Sequence, residues 1–141
     1  MLILLTCVLE DGSTPRGARV PANPCRGLRI PAESDVTLCV TVLRANGTPY
    51  DFAIDDTLVW TARRRPQDAL LWWSKLGAVQ KAEGRGCASF TLSASDTRSI
   101  GCGRGVYDVW LSHKDGGATA LRDSVMPTSP ITLEPTTTHM P

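Results

Sequence analysis

The period of its apolar residues constrains this chain more than any other feature. Over residues 34–51, SDVTLCVTVLRANGTPYD, the apolar Val36, Leu38, Val40 and Val42 alternate with Thr37, Cys39 and Thr41. A repeat of two puts all four apolar side chains on one side of an extended chain, which describes a half-buried strand and excludes an amphipathic helix. Asn46-Gly47 then supplies the pair that most readily accepts positive φ in a tight reversal. The same period returns in CASFTLSA (87–94), with Ala88, Phe90 and Leu92 on one face. It returns again in VYDVWLSH (106–113), where Tyr107, Val109 and Leu111 lie opposite Val106, Asp108 and Trp110. KDGG (114–117) reads as a hairpin turn and TALRDSVM (119–126) as the returning strand. TLVWTARRR (57–65) is β-branched and aromatic, and Pro66 ends it by withholding a ladder donor. DALLWWSKL (68–76) fits a short helix or a strand; the Trp72-Trp73 pair and the flanking strands favour a strand.

Roughly seven short strands, with turn signals about every ten residues and no long amphipathic helix, predict an all-β chain. The expected architecture is an antiparallel β-sandwich of immunoglobulin-like type. Its flanks read differently. Residues 10–33 hold Pro15, Pro21, Pro24 and Pro31 among Gly12, Gly17 and Gly27, a spacing that forbids a helix and favours an extended connector. The opening MLILLTCVLEDG is apolar but has no basic residue before it, and Thr6 is a poor small-residue cleavage site ahead of Cys7, so a lipoprotein signal does not fit. The run is also far short of the roughly 20 residues that span a bilayer. It predicts a strand or arm buried against its own domain or a neighbouring chain. PTSPITLEPTTTHMP, after Met126, reads as an extended tail. The expected organisation is an extended N-terminal arm over 1–26, a sandwich over 27–126 and a C-terminal tail over 127–141.

Composition narrows the function. With 15 Lys+Arg against 14 Asp+Glu, the 141 residues carry a net charge of +1, which offers no field to gather nucleic acid or an anionic membrane. The five cysteines are odd in number and lack a C-x-x-C pair, so they predict buried free thiols instead of a disulfide framework or zinc site. GCGRG (101–105) is followed by a strand and by no Lys-Ser/Thr, so it is a turn and not a phosphate cradle. His113 and His139 are the only histidines, and neither has an evident nucleophile to serve. Asp55, Asp56 and Asp96 stand at strand edges, where aspartate satisfies nearby backbone amides. No catalytic residue, cofactor or metal is expected. ARRRPQ (62–67) beside two tryptophans could track a nucleic-acid strand, but in a neutral chain Arg63, Arg64, Trp72 and Trp73 fit a protein interface better. Trp60 and Trp110 are expected in the sheet interior or at its flank, which leaves Trp72 and Trp73 as the exposed pair.

Three stretches, taken in order, carry a resemblance. They are SDVTLCVTVLRANGTPYDF, TLVWTARRRPQDALLWW and FTLSASDTRSIGCGRGVYDVWLSHKDGG. The strand with its Asn46-Gly47-Thr48-Pro49-Tyr50-Asp51 turn, the arginine-bearing loop, Phe90 through Asp96-Thr97, Gly105 through Leu111 and Asp115-Gly116 resemble the small immunoglobulin-like domain of tailed-phage virion proteins, the type at the N-terminus of the baseplate upper protein. The match spans about residues 27–133, and the N-terminal arm is an addition to the pattern. The resemblance implies a structural, non-enzymatic virion component of the tail or baseplate, assembled in the host cytoplasm. Its expected partners are other virion proteins and further copies of itself, with no nucleic acid and no membrane. On this reading the arm adds a strand to a neighbour's sheet edge, and Leu2, Ile3, Leu4, Leu5 and Val8 supply the burial. The competing expectations are a capsid decoration protein and a secreted carbohydrate- or protein-binding module with Trp72 or Trp73 as its platform.

Overall fold

A computed structural model describes the chain except for residues 11, 12, 16, 23, 54, 81–85, 115–119 and 136–141. Among the described residues, nine strands and one short helix follow in the order β1 (Leu2–Val8), β2 (Leu28–Pro31), β3 (Val36–Leu43), β4 (Thr57–Arg63), β5 (Trp73–Leu76), β6 (Ala78–Gln80), β7 (Cys87–Leu92), α1 (Ala94–Arg98), β8 (Gly103–Lys114) and β9 (Ala120–Glu134). They form two sheets, a four-stranded one ordered β1-β3-β7-β6 and a five-stranded one ordered β2-β9-β8-β4-β5. The expected all-β sandwich is what the chain forms.

The alternation in sequence becomes the alternation in burial. Val36, Leu38, Val40 and Val42 of β3, Ala88, Phe90 and Leu92 of β7, and Tyr107, Val109 and Leu111 of β8 all point into one core between the sheets. At its centre Trp60 of β4 meets Trp73 edge-on, ring centroids 5.1 Å apart, and Phe90 of the opposite sheet at 5.9 Å. Such edge-to-face contacts add about 0.5–1.5 kcal/mol each beyond the area they bury. The Asn46-Gly47 reversal is present: Gly47 has φ +86° and donates to the Arg44 carbonyl, while Leu43 and Pro49 pair across the turn.

Several expectations are corrected. The pairing is not wholly antiparallel, because β1 runs parallel to β3 and β2 parallel to β9. Residues 2–8 are no free arm: β1 is a full member of its sheet, and Leu5, Cys7 and Leu9 are buried in the core. An uninterrupted apolar run shows no period of its own, so only pairing with β3 fixes which side faces inward. The sandwich likewise does not stop at 126. β9 continues to Glu134, pairing with β8 on one side and β2 on the other, and it buries Ile131 and Leu133.

The prolines of β9 suggest a tail, and a bulge explains how the strand accommodates Pro127. Between the pairs Tyr107–Ser129 and Val109–Met126, Asp108 alone faces both Pro127 and Thr128. A bulge leaves its extra residue without a ladder bond, so a proline there forfeits nothing. A second irregularity, between Met126 and Ser124, turns both Val125 and Met126 inward. Strand β4 ends at Arg63, two residues short of expectation, and β5 begins only at Trp73.

Strand β7 ends at Leu92, two residues short of the expected 94, and the chain turns into α1. Asp96 Oδ2 accepts hydrogen bonds from the Ser93 backbone N–H at 2.8 Å and the Ser93 hydroxyl at 3.0 Å, and pairs with Lys75 Nζ at 2.9 Å. The Ser93 amide first, and Lys75 second, hold this carboxyl below the ordinary range. Buried Thr97 of the same turn accepts the N–H of Glu33 at 2.7 Å.

Candidate functional site

The polar chemistry of the interior converges on one histidine. His113 extends the inward face of β8 beyond Leu111 and is 1% exposed. Its Nδ1 lies 2.8 Å from Asp56 Oδ1, just ahead of β4, and its Nε2 lies 2.6 Å from Asp123 Oδ2 on β9. Each ring nitrogen is thus within hydrogen-bond distance of a carboxyl oxygen, so both polar edges of the imidazole are engaged. The carboxylates also organise the backbone. Asp56 Oδ2 accepts the Ala53 N–H at 2.8 Å, and Asp123 Oδ1 accepts those of Gly17 at 2.7 Å and Arg19 at 3.2 Å. Arg19 in turn donates to the Tyr50 hydroxyl at 2.8 Å and to the Thr14 carbonyl at 3.2 Å.

This cluster fastens the proline-rich connector onto the sandwich. Asp56 and Asp123 are 3% and 0% exposed, so the imidazole and both carboxyl groups are closed off from solvent. The two ring nitrogens diverge, so the carboxylates cannot close with one of them around a single ion, and no three-ligand group that could hold a metal occurs among the described residues. The sequence reading assigned His113 no partner and missed the cluster. One signal was present: position 113 continues the inward parity of 107, 109 and 111.

The interface residues expected from sequence do not form one surface. Arg63 Nη1 donates to the Asp68 carbonyl at 3.1 Å, tying its own loop together, and Arg64 is exposed. Trp72 and Trp73 are not an exposed pair. Trp73 is buried against Trp60, and half-buried Trp72 packs over Gly105, where an added Cβ would come within 2.6 Å of the indole ring and 2.5 Å of the Arg63 carbonyl. Both turn inward because Trp72 precedes β5, so strand alternation does not govern it. The GCGRG stretch is not the tight turn expected: Gly103, Arg104 and Gly105 already belong to β8, where they pair with Leu133, Thr132 and Ile131. The cysteines are free, but only Cys7 is buried; Cys25 and Cys102 are exposed. The KDGG turn lies outside the described residues.

Two surface features remain. On the outer face of the five-stranded sheet, Arg29, Thr132 and Arg104 line a shallow depression, and Arg29 is already paired with Glu134 at 2.5 Å. The other feature is β1. It ends the four-stranded sheet, with Leu2 and Leu4 62% and 63% exposed, Ile3 and Val8 half-buried and Leu5 buried. The five apolar residues assigned to a neighbour's surface are thus split, with the odd-numbered side chains turned to their own core.

No protein-family model matches the chain, and no curated protein matches it. Among solved structures, the N-terminal domain of phage TP901-1 ORF48 is similar, with a TM-score of 0.48 and 13% identity over 95% of this chain and 99% of that one. A likeness this distant says nothing about function.

Proposed function

We propose that this chain is a structural protein of a bacteriophage virion, a tail or baseplate component that binds neighbouring subunits and catalyses no reaction. The observation that carries the reading is the free margin of β1, whose seven residues include no charge and no proline. Strand edges of that kind invite another strand, and proteins that stay alone guard them. The resemblance in sequence supports the same reading. Its pieces fall in order on the β3 turn, on β7 running into α1, and on β8, as parts of one β-sandwich. Other virion proteins and further copies of the chain are its partners. Neither nucleic acid nor membrane is, in keeping with the net charge of +1. The sandwich itself, and not a loose N-terminal arm, supplies the contact.

The test is to purify particles of the phage that carries the gene on a density gradient and to quantify the chain by mass spectrometry. The expected result is a fixed copy number per particle, lost from tailless heads. Absence from particles would overturn the reading. Presence on isolated heads alone would move the protein to the capsid surface.

A further inference from the structure

The four strands that end the two sheets are unequal. β6 has three residues; β2 has four, with Arg29 and a terminal Pro31; β5 has four, with Lys75. Short length, charge and proline are the usual protections of a sheet edge. β1 has seven residues and none of these protections.

Its hydrogen-bonding pattern defines what is open. The Leu9 N–H donates to the Leu43 carbonyl and the Met1 carbonyl accepts from the Thr37 N–H, so the odd-numbered residues bond inward to β3. The even-numbered residues therefore point their N–H and C=O groups away from the sheet. The outward Val8 carbonyl accepts the Ala22 N–H at 2.7 Å, and Glu10 donates to the Val20 carbonyl at 3.2 Å. The chain's own residues 20–22 thus close the edge at Val8. Leu2, Leu4 and Thr6 remain, three consecutive outward positions with Leu4 in the middle.

We infer that β1 pairs antiparallel with β1 of a second copy of this chain across a twofold axis at Leu4, joining two four-stranded sheets into one continuous sheet. The inference rests on the reading of β1 as an assembly surface and names its occupant. A second copy fits because the open stretch is symmetric about its centre. Leu4 faces Leu4 of the other copy and Leu2 faces Thr6, so the three pairs exchange about six main-chain hydrogen bonds. Residues 1–9 carry no charged side chain, so the twofold sets no like charges against each other. The exposed Leu2 and Leu4 side chains gain cross-strand neighbours on the outer face. Closure at Val8 fixes the register, since a shift of the axis toward the C-terminal end of β1 would drive the second strand into residues 20–22.

The test is sedimentation and native mass spectrometry of the full chain, with thermal melts to confirm folding. The wild type is expected to be a dimer in the micromolar range. Leu4→Lys and Leu4→Glu should each weaken self-association by about tenfold or more, because either places like charges face to face at the axis. Mixing the two in equal amounts should restore a heterodimer, which only the Leu4–Leu4 register provides. If either variant fails to fold, hydrogen exchange of the wild type decides: the Leu4 amide should gain protection as concentration rises. A wild type that stays monomeric, a dimer indifferent to both substitutions, or a Leu4 amide with concentration-independent exchange overturns the inference. A monomer that still enters virions would sink the inference and leave the proposed function standing, whereas a dimer absent from virions would do the reverse.

Discussion

Two clusters hold the interior together on opposite principles. Trp60, Trp73 and Phe90 join the sheets by burial and ring geometry, yet the indole N–H groups of Trp60 and Trp73 have no acceptor among the described residues. Asp56, His113 and Asp123 are as deeply buried, and both imidazole nitrogens have partners. The aromatic cluster tolerates an unmet donor because its area outweighs it. The polar cluster has no such margin, since its carboxyl groups are held by the ring and a few backbone amides, with little apolar area to offset the loss of one. Damage should therefore be graded in the first and abrupt in the second.

The largest effect is expected from His113→Ala, which leaves two buried carboxyl groups without their shared partner and should cost about 3–5 kcal/mol in urea unfolding. A loss under about 1 kcal/mol would show that the three residues do not act as a unit. Gly105→Ala comes next, at about 1–3 kcal/mol, because its new Cβ presses on the Arg63 carbonyl and the Trp72 ring. Trp73→Phe should cost at most about 1 kcal/mol, since removing an unmet N–H offsets much of the lost area. A cost above about 3 kcal/mol would mean that the indole is satisfied after all and would erase the contrast.

The smallest effect sharpens the comparison through pH. Burial raises the carboxyl of Asp108 above its ordinary 3.8, against the opposing pull of Trp110, Arg63 and Arg122, and its Oδ1 has no partner. The folded state therefore holds this proton to higher pH than the unfolded chain does. Its contribution is greatest below 3.8 and fades as pH climbs through the raised value. Asp108→Asn should melt slightly higher than the wild type at neutral pH, with the gap closing in acid. Equal melting temperatures at pH 7 would show the carboxylate to be well solvated.

The same division decided what was legible in the sequence. β3, β7 and β8 write their buried faces as a strict period of two, and those faces could be read residue by residue. MLILLTCV is apolar on both faces, so nothing local says that Leu5 is covered and Leu4 is not. The polar cluster draws Asp56, His113 and Asp123 from three separated segments, and no spacing announces such a meeting. Trp72 and Trp73 misled because a strand rule was applied one residue before the strand begins. Pro127 and Pro130 masked the extent of β9, because a bulge makes room for Pro127 only once β8 lies alongside.

The parallel partnership of β2 with β9 bears on how the molecule matures. Leu28 faces Ile131, so β2 must wait for β9, far along the chain, before it is paired. Long-range pairing of this kind slows folding. On the ribosome β2 stays without its partner until β9 has been made, so a chain cut short before β9 should leave that side of the sandwich unfinished.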